Sequence, residues 1–192
     1  AEMPGFYKDN EYDLSGTVVG VVDKKNMMSE RKVLPGDVLI GLYSSGLHTN
    51  GYSLARKVLL EKFDIDENVA QIGSTIGEAL LSVHRSYLDI LMPIIDKKWL
   101  HGISHVTGGG IIENTERVIS ANQKIDIDWS AWKKLPIFDL IQDIGNVPIE
   151  DMRRSFNLGI GMVLIVERNS IEKIDEHLKN INEPYSIIGE IV

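Results

Sequence analysis

Two short loops contain most of the side chains in this sequence that could do chemistry. The first, residues 44–51 (SSGLHTNG), combines small residues that let a backbone approach a ligand with hydroxyl and amide groups that can position a polar molecule. His48 is its only side chain able to exchange a proton near neutral pH. A helix starting directly after the loop would add free N–H groups that attract anions. The same composition also suits an ordinary turn whose Ser, Thr and Asn only cap that helix.

The second loop, residues 107–110 (TGGG), is separated from His105 by a single residue. Three consecutive glycines form a flexible row of N–H donors that suits a phosphate group, although the pattern is neither a Walker A sequence nor a dinucleotide fingerprint. Taken alone, the motif slightly favours a tight turn beneath a closely packed helix. His105 by itself is also compatible with a hydrogen-bonded core histidine.

A third segment, residues 154–162 (RSFNLGIGM), places Asn157 and two glycines before a predicted strand, and a turn with an Asx cap explains most of it. The other histidines favour solvated or partly buried roles: we predict His84 inside a helix and His101 and His177 near helix ends. The acidic residues form no cluster with metal-ligand spacing, so we predict no metal site in this sequence.

The bulk composition limits the classes of function. The 192 residues are 43% hydrophobic and 25% charged, which is ordinary for a globular domain. The formal net charge of −8 and the lack of a basic stripe argue against nucleic-acid binding. No apolar run is long enough to span a bilayer. The absence of cysteine is compatible with a reducing cytoplasm, where we expect the protein to act.

The hydrophobic pattern predicts an α/β (α+β) fold with a mixed β-sheet flanked by helices. A capping box at Thr75 and Glu78 predicts the start of a long helix that Pro93 should kink, and Asn50 or Thr49 should cap an earlier helix. We predict strands over residues 17–23, 38–43, 101–107, 124–128 (an edge strand), 159–167 and 185–192. Helices are predicted from about residue 50 and over residues 111–119, 136–141, 149–156 and 170–178.

A polar stretch at residues 24–32 is the predicted domain boundary. We expect residues 1–29 to be the remnant of an N-terminal ATP-binding domain plus a linker, and residues 30–192 to form a C-terminal α/β domain. The chain begins at Ala1 without an initiator Met and stops at Val192 inside an apolar alternating pattern. We therefore expect both ends to be cut from something longer.

Three long motifs in succession carry a resemblance to a known family. Residues 36–59 (GDVLIGLYSSGLHTNGYSLARKVL), 105–118 (HVTGGGIIENTERV) and 153–166 (RRSFNLGIGMVLIV) resemble phosphoribosylformylglycinamidine cyclo-ligase, also called aminoimidazole ribonucleotide synthetase. AEMPGFY and EYDLSGTVVGVV near the start match the same family in the same order. The resemblance covers essentially the whole chain, as the C-terminal half of such an enzyme.

The resemblance implies a reaction in de novo purine biosynthesis. ATP would activate the formyl amide oxygen of formylglycinamidine ribonucleotide, and attack by the ring-closing nitrogen would expel phosphate and give aminoimidazole ribonucleotide. It also implies ATP and Mg²⁺ bound mostly by an N-terminal half, a homodimer at full length, and no nucleic-acid or membrane partner. Because the ATP elements of the family lie upstream of Ala1, we expect this chain alone to be inactive.

The resemblance also assigns roles to individual residues. It implies catalytic roles for His48 and His105. It also implies a cofactor-binding role for Glu2, near the nucleotide and metal. The substrate-binding residues that we predict are Ser44, Ser45, Gly46, Thr49, Asn50, Gly51 and Asn157. The resemblance implies phosphate binding by Thr107, Gly108, Gly109 and Gly110. Two alternatives stay open: another ATP-dependent member of the superfamily, such as an amidotransferase or a selenophosphate-synthetase-like enzyme, or a non-catalytic ligand-binding module of the same fold.

Overall fold

The computed structural model describes residue 12 and residues 15–24, 27–28 and 33–192. Its centre is a five-stranded sheet with a separate two-stranded ribbon beside it. The sheet strands are β1 (Val38–Tyr43), β4 (Leu100–His105), β5 (Ile125–Ile127), β6 (Ile160–Val166) and β7 (Tyr185–Ile191). The ribbon strands are β2 (Asn68–Val69) and β3 (Ser74–Thr75).

Seven α-helices occur among the described residues. They are α1 (Tyr52–Leu60), α2 (Ile76–Leu80), α3 (Leu88–Leu91), α4 (Gly110–Glu116), α5 (Pro136–Gly145), α6 (Ile149–Ser155) and α7 (Ile171–Asn180). A short 3-10 turn, Arg168–Ser170, precedes α7. Strands alternate with helices along the chain, and the predicted α/β class is confirmed.

The strand order across the sheet is β4-β6-β1-β7-β5. Every pairing in this sheet is antiparallel, with Leu39 opposite Ile165 and Ile103 opposite Leu164. The mixed pairing that we expected is therefore not observed, because the neighbours in the sheet are not the strands joined by simple helical crossovers. β5 is an edge strand, as predicted.

Both faces of the sheet are covered. On one face, Ile40, Leu42 and Leu164 pack against α3 and α7 through Ile90 and Leu178. On the other face, Leu39, Val163 and Ile165 pack with Ile111 of α4 and with Trp132. A third apolar cluster lies between α1, α2, α5 and α6 and includes Leu47 from the first loop. Because β6 is buried along its whole length, its sequence is a continuous apolar run.

Residues 17–23 do not form the predicted strand. They have no regular secondary structure, and Val18, Val19 and Val21 are almost fully exposed. β-branched residues favour strands only where a neighbouring strand and an apolar layer accept them, and the described residues offer neither. Glu2 and parts of the predicted linker (residues 25–26 and 29–32) lie outside the described residues, so the predicted domain division stays a prediction.

The prediction of a long helix after Thr75 is also wrong beyond its first turn. The capping box is present, with the Thr75 hydroxyl accepting from the Glu78 amide at 3.1 Å. The helix nevertheless ends at Leu80, and residues 82–87 cross the end of the sheet without regular structure. Tertiary contacts take this segment out of the helix: the Ser45 hydroxyl donates to the Val83 carbonyl and Arg85 donates to the Tyr43 carbonyl.

Candidate active site at one edge of the sheet

The sheet topology brings the three predicted loops together. β1 and β4 both run antiparallel to β6, so their last residues and the first residues of β6 lie at the same edge. The Ser44 amide donates to the Gly159 carbonyl at 2.8 Å, and the Val106 amide donates to the Gly161 carbonyl at 3.0 Å. A Cβ built on Gly108 would lie 3.7 Å from Oδ1 of Asn50. The loops at residues 44–51, 107–110 and 154–159 therefore form one site.

The first loop turns through left-handed backbone conformations at two residues that are not glycine. His48 has φ +52° and Thr49 has φ +62°, values that side chains with a Cβ rarely adopt. Two hydrogen bonds to the His48 carbonyl hold this turn, one from the Thr49 hydroxyl at 2.6 Å and one from the Asn50 amide group at 2.7 Å. Asn50 keeps its Oδ1 directed toward the glycine loop. Strain of this kind concentrates at functional sites.

The predicted capping of α1 is wrong. The N-cap position is Gly51, in a left-handed conformation with φ +74°, and no side chain caps the helix. Thr49 and Asn50 lie before the N-cap position, and their hydroxyl and Nδ2 groups donate to the His48 carbonyl instead. Gly51 is needed for a further reason: a Cβ there would lie 2.3 Å from the ring of Phe156.

The side chain of Asn157 connects the loops of the site inside the protein. It is buried, and its Oδ1 accepts from the Ser44 hydroxyl at 2.9 Å and from the Gly159 amide at 2.8 Å. Its Nδ2 donates to the Gly46 carbonyl at 2.9 Å. Ser44, Gly46 and Asn157 thus satisfy one another inside the protein, whereas Ser45 and Thr49 are exposed and Asn50 is half-buried. Within the predicted substrate-binding set, the latter three are the side chains that a ligand could reach.

His48 lies inside the protein and is only 1% exposed. Its Nε2 accepts from the Ser45 amide at 3.0 Å, so the proton of the neutral ring is on Nδ1. Burial, followed by the charges of His84, His105 and Arg85, lowers the pKa of His48 to about 4. Nδ1 is buried without a hydrogen-bond partner among the described residues. A neutral, enclosed imidazole of this kind favours a positioning role over direct proton exchange with a ligand; the catalytic role of His48 stays a prediction.

His84 joins His48 to His105, a link that the sequence reasoning missed. The His84 ring stacks on the His48 ring with 4.0 Å between centroids and 17° between planes. Its Nε2 lies 3.2 Å from Nε2 of His105, which is exposed at the end of β4. Burial, and after it the neighbouring His84, lowers the pKa of His105. No sequence signal could place His84 here, because the capping box and the apolar spacing both favour a continuous helix.

The glycine loop is organised by Asn114 of α4, a second residue that the sequence reasoning missed. Its buried Nδ2 donates to the carbonyls of Thr107, Gly108 and Gly110 at 2.8 to 3.3 Å, and its Oδ1 accepts from the Thr107 hydroxyl at 2.9 Å. An asparagine seven residues after a threonine in a glycine-rich loop is the signal that could have found it.

The backbone amides of the glycine loop differ in whether they already donate a hydrogen bond within the protein. The Gly109 amide donates to the Arg154 carbonyl at 3.0 Å and the Gly110 amide donates to the Thr107 carbonyl at 3.1 Å. Gly108 is exposed, and its amide has no acceptor among the described residues. Phosphate binding by the whole loop stays a prediction, and Gly108 is the position where this conformation offers a donor.

A cavity of about 360 Å³ adjoins the glycine loop. It is lined by Gly109, Ile112, Glu113, Glu116, Trp129, Glu150, Arg153 and Arg154. The guanidinium of Arg153 lies 4.3 Å from the centre of the Trp129 ring and pairs with Glu150 at 2.8 Å. Arg154 is exposed and forms no ion pair with a described residue, so it is the cation here that an anionic ligand could recruit.

The described residues contain no group of three or more His, Cys, Asp or Glu side chains that could hold a metal ion. Among those same residues, no helix has the length and apolarity that a membrane crossing requires.

Comparison with known protein families identifies the family of this chain. Residues 35–192 match the sequence model described as "AIR synthase related protein, C-terminal domain". The chain belongs to this family. The matched region contains all three loops of the site and every strand of the sheet.

Curated relatives are similar to the chain along its whole length. Phosphoribosylformylglycinamidine cyclo-ligases are 44% identical in Caldanaerobacter subterraneus subsp. tengcongensis, 41% in Pseudothermotoga lettingae and 40% in Alkaliphilus metalliredigens. Each alignment covers 100% of this chain but only 56 to 57% of the relative. The chain therefore spans little more than half the length of the curated relatives that it matches.

Solved structures support the fold. The E. coli hydrogenase maturation protein HypE aligns with a TM-score of 0.51 at 19% identity, over 84% of this chain and 45% of that protein. The protein tt0281 from Thermus thermophilus aligns with a TM-score of 0.52 at 17% identity, over 84% of this chain and 48% of its own. At these identities the likeness concerns the architecture alone.

Proposed function

We propose that this chain supplies the C-terminal part of an ATP-dependent cyclo-ligase that converts formylglycinamidine ribonucleotide to aminoimidazole ribonucleotide in purine biosynthesis. One observation carries the proposal: 40 to 44% identity to phosphoribosylformylglycinamidine cyclo-ligases over the complete chain. The three family motifs also meet at one edge of the sheet, as a shared site requires.

The proposed reaction makes definite demands on the protein. The formyl amide oxygen attacks the γ-phosphorus of ATP, which releases ADP, and the formyl amide nitrogen gives up its proton to leave a phosphoryl imidate. The amidine nitrogen then attacks the imidate carbon, a C–N bond forms, and the C–O bond to phosphate breaks. The amidine nitrogen loses one proton to a base, inorganic phosphate leaves, and a proton shift from the ring CH₂ to the exocyclic imine nitrogen gives the aminoimidazole. The protein must hold the substrate folded, stabilise phosphate charge and accept this proton.

The accessible groups of the site match these demands. In our proposal, Ser45, Thr49 and Asn50 bind the polar substrate, because their side chains reach the surface of the loop. Gly108 supplies an amide to a phosphate oxygen, and His105 handles the proton because it is exposed and its lowered pKa keeps it neutral near pH 7.

We assign ATP and Mg²⁺ chiefly to the part of the relatives that this chain does not cover. The described residues provide no metal-ligand cluster through which a step of the reaction could be routed. The homodimer and the cytoplasmic location belong to the same proposal, and the absence of cysteine is compatible with a reducing compartment.

A chimaeric enzyme tests the proposal. Residues 1–192 of this chain replace the corresponding part of the Caldanaerobacter relative, and the purified chimaera receives ATP, Mg²⁺ and formylglycinamidine ribonucleotide. We expect aminoimidazole ribonucleotide, ADP and phosphate in equal amounts, measured by chromatography and mass spectrometry. A folded chimaera that makes no aminoimidazole would contradict the proposal, and ATP turnover with a different amide would favour another member of the superfamily.

Substitutions in the first loop sharpen the test. Asn50→Ala removes an amide from the accessible part of the loop, and we expect a raised KM for the ribonucleotide. Ser53→Ala is the matched control, because Ser53 is exposed in the first turn of α1, outside the loop. If the two substitutions changed the KM for the ribonucleotide equally, the loop would not be part of the substrate-binding site.

A further inference from the structure

Three histidines that are distant in sequence form a continuous row at the site edge. His48 lies in the loop after β1, His84 lies in the irregular segment between α2 and α3, and His105 ends β4. The row passes from a residue that is 1% exposed to one that is exposed, so it leads from the interior to the surface. The proposed function does not use its middle member.

The inner end of the row is fixed. The Nε2 of His48 accepts from the Ser45 amide at 3.0 Å and faces the Arg85 amide at 3.4 Å, and it lies 2.9 Å from the Ser45 hydroxyl, which donates to the Val83 carbonyl. On its other side His48 packs against Gly161, where a Cβ would lie 2.8 Å from its ring atoms. His48 therefore offers a rigid, neutral surface on which another ring can stack.

His84 is held in place from two sides. Its ring stacks on His48, and the next residue, Arg85, donates to the Tyr43 carbonyl at 3.2 Å and pairs with Glu183. The positive charge of Arg85, beside the row, thus has its own carboxylate partner. His84 is consequently fixed, and its Nε2 is directed at His105.

The contact between His84 and His105 can hold one proton. Two neutral imidazoles with Nε2 atoms 3.2 Å apart form an N–H···N hydrogen bond, in which one ring donates and the other accepts. If His105 donates, its remaining lone pair is on Nδ1, which has no partner among the described residues. In this tautomer, neutral His105 can accept a proton at Nδ1, and its hydrogen bond to His84 fixes the orientation of the ring. In other acid–base sites, too, a second group orients the histidine.

We propose that His84 is a positioning residue for His105: it accepts the hydrogen bond from Nε2–H of His105 and leaves Nδ1 of His105 to take the proton released by the amidine nitrogen at ring closure. This role rests on the proposed cyclo-ligase function. The imidazolium formed on His105 keeps its Nε2–H bond to Nε2 of His84, and the proton later passes to water. No other reactant is required.

The first test does not depend on the reaction. Histidine-labelled ¹⁵N NMR of this chain at neutral pH detects an N–H···N hydrogen bond through the coupling between its two nitrogens. We expect a coupling between Nε2 of His84 and Nε2 of His105, with the proton bonded to His105. His84→Phe, which keeps a ring on His48, abolishes the coupling and leaves the signals of His177 unchanged. Absence of the coupling, or a proton bonded to His84, overturns the proposal.

The second test uses the active chimaera. His84→Phe should lower kcat by about 10- to 100-fold, a part of the ~10²–10⁴-fold that a positioned acid–base group contributes, while KM for ATP stays unchanged. His84→Gln, whose side-chain carbonyl can accept from His105, should recover part of the rate. His177→Gln is the control, because His177 donates to the Ile90 carbonyl in α3 and lies outside the row.

The outcomes separate the two proposals. A folded chimaera that makes no product would contradict the cyclo-ligase function. The NMR coupling would still show whether His84 accepts the hydrogen bond that orients His105. An active chimaera whose His84→Phe variant keeps its full kcat overturns the positioning role and leaves the function standing. A fall in kcat with no recovery in His84→Gln would overturn it too, because His84 would then act only by packing.

Discussion

Replacing the three loop glycines one at a time with alanine tests how the site is built. The glycines differ in two independent respects, the backbone angle φ and the space available to a Cβ. Gly110 has φ +68°, and its Cβ would lie 1.8 Å from the backbone carbonyl oxygen of Arg153. Gly109 has φ +101°, and its Cβ would meet mainly the flexible side chain of Glu113. Gly108 has neither constraint, since the nearest atom is 3.7 Å away.

These differences predict a graded loss of stability. A left-handed backbone with a Cβ costs about 1–2 kcal/mol, and crowding against atoms that cannot move adds about 1–3 kcal/mol. Gly110→Ala should therefore lower the free energy of unfolding by roughly 2–5 kcal/mol. Gly109→Ala should cost about 1–3 kcal/mol, because the Glu113 carboxylate can rotate away but the Glu113 Cβ, 2.9 Å from the added methyl group, is fixed on α4. Gly108→Ala should stay within about 0.5 kcal/mol of the parent.

Urea unfolding followed by circular dichroism measures all three on the same scale. Because a protein of this size has a total stability of about 5–15 kcal/mol, the Gly110 effect is large and the Gly108 effect is small. A cost below about 1 kcal/mol for Gly110→Ala, or a larger cost for Gly108→Ala, would refute the reasoning. The stable Gly108→Ala variant then serves a second purpose: in the active chimaera, its methyl group would crowd the amide that we assign to phosphate.

Three further outcomes follow from the same contacts. Because the pKa of His48 is lowered to about 4 in the folded state, the unfolded chain binds more protons between pH 6.5 and 4; stability should fall by about 3 kcal/mol as the pH falls through this window, and a His48→Gln variant should show a flatter pH profile in urea titrations. Asn114→Asp should destabilise the chain more than Asn114→Ala in thermal unfolding, since a carboxylate would face three carbonyl oxygens. The 192-residue chain alone should show no ATP-dependent cyclisation; product formed by the isolated chain would contradict the assignment of ATP to the other half.

Much of the sheet can be predicted from the sequence. The pattern predicts β1 at its observed bounds, because a run of six residues without a charge lies between a Pro-Gly turn and a loop of small polar residues. It predicts β6 within one residue at each end for a related reason. Such runs are informative because both faces of a central strand are buried, so that nearly every position is apolar. The order of the strands, and hence their antiparallel pairing, does not follow from these patterns.

The site can be predicted only in part. The composition of the loops identifies Ser45, Asn50 and His105, which the structure leaves accessible. The same composition cannot show that Ser44 and Asn157 bond to each other inside the protein. Burial of a polar loop residue depends on its partner, and here the partner is 113 residues away.

His84 illustrates a different limit. Periodicity places it in a helix, since the apolar residues around it recur at helical spacing. Contacts between residues 82–87 and the end of β1 override this local preference. The strand predicted over residues 17–23 is wrong for the opposite reason: their β-branched side chains favour a strand, but no strand among the described residues pairs with them. In both cases the local signal is real and the tertiary environment decides.

The bond between Ser44 and Asn157 also has a consequence for the order of events during synthesis. The two residues are 113 positions apart, so the first loop leaves the ribosome long before the residue that frames it. At about 5–20 residues per second, the interval is roughly 6 to 23 s. During that time the nascent chain contains the first loop, residues 44–51, but lacks β6, the strand that completes the site. Ligand binding should therefore begin only after β6 has emerged and paired, which makes site formation a late marker of folding.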